Sequence, residues 1–276
     1  MKITYRLLPF ISPFAILAAM IAPPPASAST CSFGPGTVGE DSLQTVMTNL
    51  LGGGAPVAAS DCLADGTDAT WETVGQGAAT LVVEIAGYVN QNTFGIYDTA
   101  NSGNTLQVYA GANDPFDRRT ITFTQNGGAY DVTIARSNGT VVQSGTFSST
   151  LFGYYLGTPQ YSGEYYFSDT TMNPDGNVDH LYAYQGNGTN FLNSTTVPAY
   201  LRGSAFDPQM YLLAWEDLFG GGDGDYQDMV LLTNYVVPVP LPPALVLFAS
   251  VLAGLGIMQR RWTRWFNPRH HQILVA

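Results

Sequence analysis

Positive charge is the scarcest property of this sequence. Lysine occurs once, as Lys2, and all 21 acidic residues lie between Glu40 and Asp228, where the only basic residues are four arginines. A nucleic-acid-binding face needs many basic side chains to neutralise phosphates, so this composition excludes DNA and RNA as partners. The excess of negative charge favours solubility outside the cell or the binding of cations.

Histidine and the common nucleophile motifs are also scarce or missing. His180 is the only histidine ahead of residue 270, so the central region lacks the histidine set of a metal-dependent hydrolase. A Gly-x-Ser-x-Gly motif does not occur. We therefore expect no enzymatic activity. The alternative, a glycan-cleaving enzyme, would pair Glu216 and Asp217 with Glu164, but adjacent residues of a strand face opposite ways.

The first 28 residues have the layout of a secretory signal peptide. Lys2 and Arg6 precede a long apolar run, and the small-residue triplet Ala26-Ser27-Ala28 follows it. Such a triplet is a typical cleavage site, so we predict cleavage after Ala28 and export from the cytoplasm.

Only two cysteines are present, Cys31 and Cys62. Because an exported protein folds in an oxidising compartment, a disulfide between them is expected. Closing a loop of this length stabilises a fold by about 3–4 kcal/mol in the chain-entropy model.

The segment 238–264 has the layout of a short membrane anchor. It opens with prolines, runs apolar over 244–258 and closes with Arg260 and Arg261, and an extension follows over 265–276. The run is shorter than the roughly 20 residues that span a bilayer, and the arginines orient the preceding domain away from the cytoplasm. We expect this tail to hold the chain in the inner membrane, transiently or permanently.

Residues 29–237 are predicted to form an all-β domain, a β-sandwich or jelly roll. Short runs rich in Val, Ile, Thr, Tyr and Phe alternate with turn residues. Asn126 and Asn138, each followed by glycine, favour hairpin turns and predict three consecutive antiparallel strands over 119–147. Many short strands with almost no helix are typical of two packed sheets.

The all-β prediction admits one short helix and one alternative division of the domain. A helical period is present at 42–51 alone. Two small β units that meet near Thr150 are an alternative to one larger domain.

The densest charge lies in "AWEDLFGGGDGDYQDMVLL", residues 214–232. Its five carboxylates flank three consecutive glycines and are Glu216, Asp217, Asp223, Asp225 and Asp228. Alternate residues of an extended backbone point the same way, and glycines let the chain curl tightly. Several oxygen ligands on such a loop suit Ca²⁺, which takes 6–8 of them. We predict a calcium site here, because an ordinary turn needs one Asp and this loop has four.

A second acidic turn, "NPDGNVDH", places Asp175, Asn177 and Asp179 at alternate positions. These oxygens are predicted as further calcium ligands, in a shared site or a separate one. Ordinary Asx turns, in which Asp and Asn bond their own backbone, explain the same pattern equally well.

Five tyrosines cluster in "FGYYLGT" and "GEYYFSD" and around them. They are Tyr154, Tyr155, Tyr161, Tyr165 and Tyr166. Exposed aromatic faces beside Asp and Asn would suit a carbohydrate-binding module. For any one of these tyrosines, burial in the core of the domain is the favoured interpretation.

The C-terminal tail resembles the PEP-CTERM class of bacterial sorting signals, in its Val-Pro-Leu-Pro variant. The resemblance is carried by "VPLPP", by an apolar run containing "GLG", and by an arginine pair; the matching residues are Val239, Pro240, Leu241, Pro242, Arg260 and Arg261. It implies an exosortase-type membrane enzyme as a partner and a link to exopolysaccharide and biofilm. Leu241 stands where the commonest variant has Glu, and a retained anchor is the alternative to cleavage.

Residues 151–235 resemble an uncharacterised bacterial β domain that often precedes such tails. The matching pieces are "FGYYLGT", "NPDGNVDHLYAY" and "YLLAWEDLFGGGDGDYQDMVLL". This resemblance implies no chemistry. Taken together, the sequence predicts an exported, calcium-stabilised structural or adhesive protein of the cell surface, with carbohydrate binding as the alternative.

The fate of the tail gives a first testable prediction. If the tail is a sorting signal, the mature protein ends near Pro240, because the apolar run is only a temporary membrane stop. Intact-mass spectrometry of the exported protein measures this end. A C-terminus still at Ala276 in the membrane fraction would contradict sorting and identify a retained anchor.

Overall fold

The chain folds mainly into antiparallel β-sheets, which confirms the predicted all-β class. The computed structural model describes residues 31–32, 34, 41–53, 57–58, 61–74, 79–87, 92–109, 118–158, 164–193, 197 and 199–240. The predicted signal peptide, the tail from residue 241 onward and the extension 265–276 lie outside these residues.

Fifteen strands are described. They are β1 (Leu51–Gly52), β2 (Trp71–Thr73), β3 (Ala79–Gly87), β4 (Thr93–Asp98), β5 (Asn101–Tyr109), β6 (Arg118–Asn126), β7 (Ala129–Arg136), β8 (Val141–Phe147), β9 (Leu151–Thr158), β10 (Glu164–Phe167), β11 (Leu181–Gln185), β12 (Phe191–Leu192), β13 (Met210–Trp215), β14 (Met229–Asn234) and β15 (Val236–Pro238).

Helix is confined to short pieces in the described part of the chain. These are α1 (Leu43–Leu50), α2 (Asp65–Asp68) and two 3₁₀ turns, Thr170–Met172 and Phe219–Gly221. Helix α1 falls within the segment 42–51 in which the sequence predicts a helix, and the Ser42 side chain caps it by accepting a hydrogen bond from the Thr45 N–H. Among the described residues, none of the helices combines the length and apolar character needed to span a membrane.

Two large sheets and one small one contain these strands. The first large sheet has the order β15-β2-β9-β4-β5, with β10 added to β9, and the second has the order β11-β13-β14-β3-β6-β7-β8. Strands β1 and β12 form the small sheet. Both large sheets contain strands from before and after Thr150, so the chain is not divided into two β units at that point.

The hairpins predicted from local turn residues are confirmed. Strands β6, β7 and β8 are consecutive antiparallel neighbours. Gly127 and Gly139 occupy the turns with φ of 64° and 82°, a conformation that glycine adopts without steric cost.

The two large sheets share one aromatic-rich core. Trp71 of β2 packs edge-to-face on Tyr211 of β13, with ring centroids 5.0 Å apart. Phe123 of β6 stacks on Phe152 of β9 at 5.5 Å. Because each pair joins one sheet to the other, the sheets face each other across this core.

Strands β13 and β14 are buried on both faces. Leu213 and Trp215 of β13 contribute to the core between the sheets. Leu212 and Ala214 belong instead to a second core on the opposite face, where α1 packs with Leu43, Met47 and Leu50. Burial on both faces explains why both strands are continuous apolar runs rather than alternating ones. The loop that connects them therefore begins and ends on well-packed strands.

Close packing of β4 against its neighbours gives a second prediction. A Cβ on Gly95 would collide with the backbone carbonyl oxygen of Leu106 and with the Tyr155 ring. Gly95→Ala should therefore lower the free energy of unfolding by about 2 kcal/mol, the usual cost of overpacking a core. The control is Gly103→Ala on β5, where the nearest atom is 3.6 Å away. Urea denaturation measures both variants, and equal stabilities would contradict this packing.

Candidate metal centre

The five carboxylates of 214–232 lie on the connection between β13 and β14. Trp215 pairs with Met229 in the ladder, so both ends of the connection are fixed side by side. Gly220, Gly221 and Gly222 all have positive φ and fold the loop back on itself. At Gly222 a Cβ would lie 2.6 Å from Glu216 Oε1, so this close approach requires glycine.

This backbone path brings all five carboxylates together. Glu216, Asp223 and Asp225 offer one oxygen each within 4.8 Å of one another, and Glu216, Asp217 and Asp228 do the same. Glu216, Asp217, Asp225 and Asp228 are buried, whereas Asp223 is exposed.

Hydrogen bonds orient four of these side chains. Both oxygens of Asp225 accept from Gln227, one from its backbone N–H and one from its side chain, at 3.2 Å each. Asn92 Nδ2 donates to Asp217 Oδ2 at 2.7 Å, and the Asp217 backbone N–H donates to Asp228 Oδ2 at 2.9 Å. The Leu218 N–H donates to Glu216 Oε1 at 3.1 Å. The other oxygen, Glu216 Oε2, is buried and receives no hydrogen bond in the described part of the chain. A buried carboxylate oxygen without a partner is costly unless a cation or a proton satisfies it.

Burial and mutual repulsion shift the acidities of this cluster. Burial, with the charges of Asp217 and Glu216, raises the pKa of Asp228 to about 9. Burial, with the charges of Asp223 and Asp225, raises the pKa of Glu216 to about 7. The pKa of Asp217 is raised as well, first of all by burial. Without a cation, the cluster is therefore partly protonated at neutral pH.

The second acidic turn, residues 175–179, is hydrogen-bonded to the backbone of the carboxylate loop. Asp175 Oδ2 lies 2.7 Å from His180 Nε2 and accepts a hydrogen bond from the Gly220 N–H at 2.8 Å. Burial acts to raise the pKa of Asp175, but these two hydrogen bonds outweigh it and the pKa is lowered. His180 Nδ1 donates to the Glu216 carbonyl oxygen at 2.8 Å. His180 is a buried loop residue whose ring stacks on Tyr166 at 3.7 Å.

Two of the three predicted ligands of this turn thus have other partners. Asp175 bonds His180, and Asp179 Oδ1 accepts the Leu181 N–H at 3.0 Å. Asn177 occupies a positive φ of 69°, which Asn tolerates in a tight turn. Neither set of converging carboxylates includes Asp175 or Asp179. Burial raises the pKa of Asp179 to about 7.

A disulfide anchors the N-terminal segment beside the acidic loop. Cys31 and Cys62 are bonded, with Cα atoms 6.0 Å apart. The Gly34 N–H donates to the Gly224 carbonyl oxygen at 2.6 Å, and the Tyr182 hydroxyl donates to the Ser32 carbonyl oxygen at 3.0 Å. The segment after Cys31 is therefore bonded directly to the loop that carries the carboxylates.

The five clustered tyrosines and Glu164, also candidate functional residues, do not belong to the carboxylate loop. Tyr154, Tyr155 and Tyr166 are buried, whereas Tyr165 is 51% exposed, and Tyr161 lies outside the described residues. The sequence therefore predicted core packing correctly for three tyrosines. Glu164, the other glycosidase candidate, belongs to neither carboxylate set.

Two residues of the predicted sorting signal, Val239 and Pro240, lie in the described part of the chain. The Val239 N–H donates to the Thr70 carbonyl oxygen at 2.7 Å. Pro240 is the last described residue, so Leu241, Pro242, Arg260 and Arg261 lie outside the described part of the chain.

The sequence did not predict the hydrogen bond of Asn92 to Asp217, or the contacts of His180 with Asp175 and the Glu216 backbone. Asn92 precedes β4 and is 125 residues from Asp217, and no sequence pattern connects the two. For His180, the adjacent acidic turn was a usable signal, because imidazole beside carboxylates commonly pairs with them.

Residues 137–234 match a family model described as a domain of unknown function (DUF4114). The match contains the acidic turn at 175–179 and the carboxylate loop, and it supports the resemblance of this region to an uncharacterised domain. No curated protein and no solved structure matches the chain.

The raised pKa values of the cluster give a third prediction. Asp228 and Glu216 have folded-state pKa values of about 9 and about 7, above their ordinary values. The unfolded chain releases these protons at lower pH, so folding stability in a chelator should fall as pH rises, from 5 to about 7 for Glu216 and from 5 to about 9 for Asp228, by at most about 1.4 kcal/mol per pH unit for one titrating group.

Melting temperatures across this pH range measure the effect. Asp228→Asn cannot ionise at that position, so its fall should be smaller above pH 7. A melting temperature in chelator that stays constant or rises between pH 5 and 9 would contradict the burial of these carboxyl groups.

Proposed function

We propose that this protein is an exported, calcium-binding β-sandwich protein with a structural or adhesive role at the cell surface. The observation that carries the proposal is the second oxygen of Glu216. Within the described part of the chain this oxygen is buried without a hydrogen bond, and Glu216 is the residue that both carboxylate sets share.

Ca²⁺ suits this site better than other common cations. The converging groups offer oxygen atoms only, which disfavours zinc and other metals that prefer nitrogen or sulfur. Mg²⁺ demands a near-ideal octahedron and gives up its water reluctantly, whereas Ca²⁺ accepts 6–8 oxygens in flexible geometry. A glycine-rich loop with carboxylates on several sides fits the second description.

The position of the loop supports a stabilising role. It joins β13 and β14, which contact both hydrophobic cores. A cation that joins Glu216 at one end of the loop to Asp225 or Asp228 at the other would resist separation of these strands. The facing sheets likewise support the β-sandwich interpretation.

The proposed location and partners come from the two ends of the sequence. A signal peptide and a tail resembling a sorting signal support export, inner-membrane attachment through the tail, and processing by an exosortase-type enzyme. A link to exopolysaccharide and biofilm belongs to the same proposal. In this role the protein is not an enzyme.

Carbohydrate binding is the second candidate function. The exposed ring of Tyr165 meets Tyr155 edge-to-face at 5.4 Å, and Phe219 of the acidic loop is 62% exposed. Exposed aromatic rings are the surfaces on which sugars stack. A glycan array with and without Ca²⁺ tests this candidate.

The fourth prediction concerns calcium and stability. In 1 mM Ca²⁺ the exported protein should be more stable than in chelator by about 1.4 kcal/mol, the gain for a site with a Kd of about 10⁻⁴ M. The double variant Asp223→Asn, Asp225→Asn should show a smaller gain, because both side chains belong to one of the two carboxylate sets.

The matched control is Asp61→Asn, which removes an exposed carboxylate and should keep the full gain. Identical melting curves in Ca²⁺ and chelator would contradict calcium binding. An equal gain from Mg²⁺ would reduce the effect to general charge screening.

A further inference from the structure

The geometry of the carboxylates limits how many of them one cation can bind. Ca²⁺ lies about 2.3–2.6 Å from each ligand oxygen, so two ligands of the same ion are at most about 5 Å apart. Two sets of three carboxylates meet this limit in the described chain, and only Glu216 belongs to both. The other members are Asp217 and Asp228 in one set, and Asp223 and Asp225 in the other.

We propose that this loop holds two adjacent divalent cations bridged by the Glu216 carboxylate. This inference rests on the proposed calcium-binding function and adds a second metal position to it. Glu216 is fully buried, and its Oε2 receives no hydrogen bond from the described residues. Its Oε1 accepts one hydrogen bond, from the Leu218 N–H, and retains a further lone pair. Both oxygens are therefore able to bind a cation.

Charge also favours two ions over one. One divalent cation among the five carboxylates would leave three negative charges uncompensated in a largely buried site, whereas two would leave one. An uncompensated buried charge is strongly unfavourable, so the second ion removes most of the remaining repulsion.

The two positions differ in their exposure to solvent. The inner position, between Glu216, Asp217 and Asp228, is lined by buried side chains, two of them held by Asn92 and by the Asp217 N–H. The outer position includes the exposed Asp223. Water can complete the coordination of the outer ion, and this ion should exchange faster than the inner one.

Calorimetric titration of the exported full chain with Ca²⁺ tests the proposal by counting bound ions. We expect two ions per chain for the unaltered protein and for Asp61→Asn. Asp228→Asn should remove the inner ion and Asp223→Asn the outer ion, so each binds one. Glu216→Gln should bind none or lose most of its affinity for both. Circular dichroism and thermal melting of each variant verify that it folds.

The release rate distinguishes the two positions. Stopped-flow mixing with a fluorescent chelator should show slower release from Asp223→Asn, which keeps the inner ion, than from Asp228→Asn. A single ion in the unaltered protein that any of the three substitutions abolishes would overturn the bridged pair and leave calcium binding intact. No bound ion at all would overturn both.

Discussion

The second oxygen of the Glu216 carboxylate is the constraint on which the rest of the site depends. It is buried where the described residues give it no hydrogen bond, and the Glu216 carboxylate converges with four aspartates in two sets of three. Like charges at this spacing repel strongly in a medium of low dielectric constant. The loop can keep its folded path only if protons or cations compensate that repulsion, so the stability of the fold is linked to whatever neutralises this one side chain.

The surrounding structure holds the carboxylates in place against this repulsion. The ladder between β13 and β14 fixes both ends of the loop. His180 and Asp175 bond its backbone at Glu216 and Gly220, and the segment after Cys31 bonds it at Gly224. These contacts come from three separate parts of the chain. A preformed cluster of this kind would lose little conformational entropy on binding an ion, which would raise its affinity.

Local patterns in the sequence predicted what local interactions determine. The hairpins at Asn126 and Asn138 follow from turn chemistry that needs no distant partner. The convergence of the five carboxylates was foreseeable because all lie on one glycine-rich connection between apolar strands. Long-range strand pairing could not be predicted from the sequence. Strand β14 lies between β13 and β3, and this order brings Asn92, which follows β3 in the chain, close to Asp217. Asp175 was predicted as a ligand because it alternates with Asn177 and Asp179, a spacing typical of calcium ligands. Its contact with His180, however, is decided by tertiary structure.

The central claim is that a cation, rather than a proton, satisfies Glu216 Oε2. Diffraction from crystals grown in Ca²⁺, recorded at a long wavelength where calcium scatters anomalously, tests it most directly. The account predicts an anomalous peak about 2.3–2.6 Å from Glu216 Oε2 and from oxygens of the neighbouring aspartates. A well-ordered loop with no anomalous peak, in which a water molecule or a second carboxyl group bonds this oxygen, would contradict it.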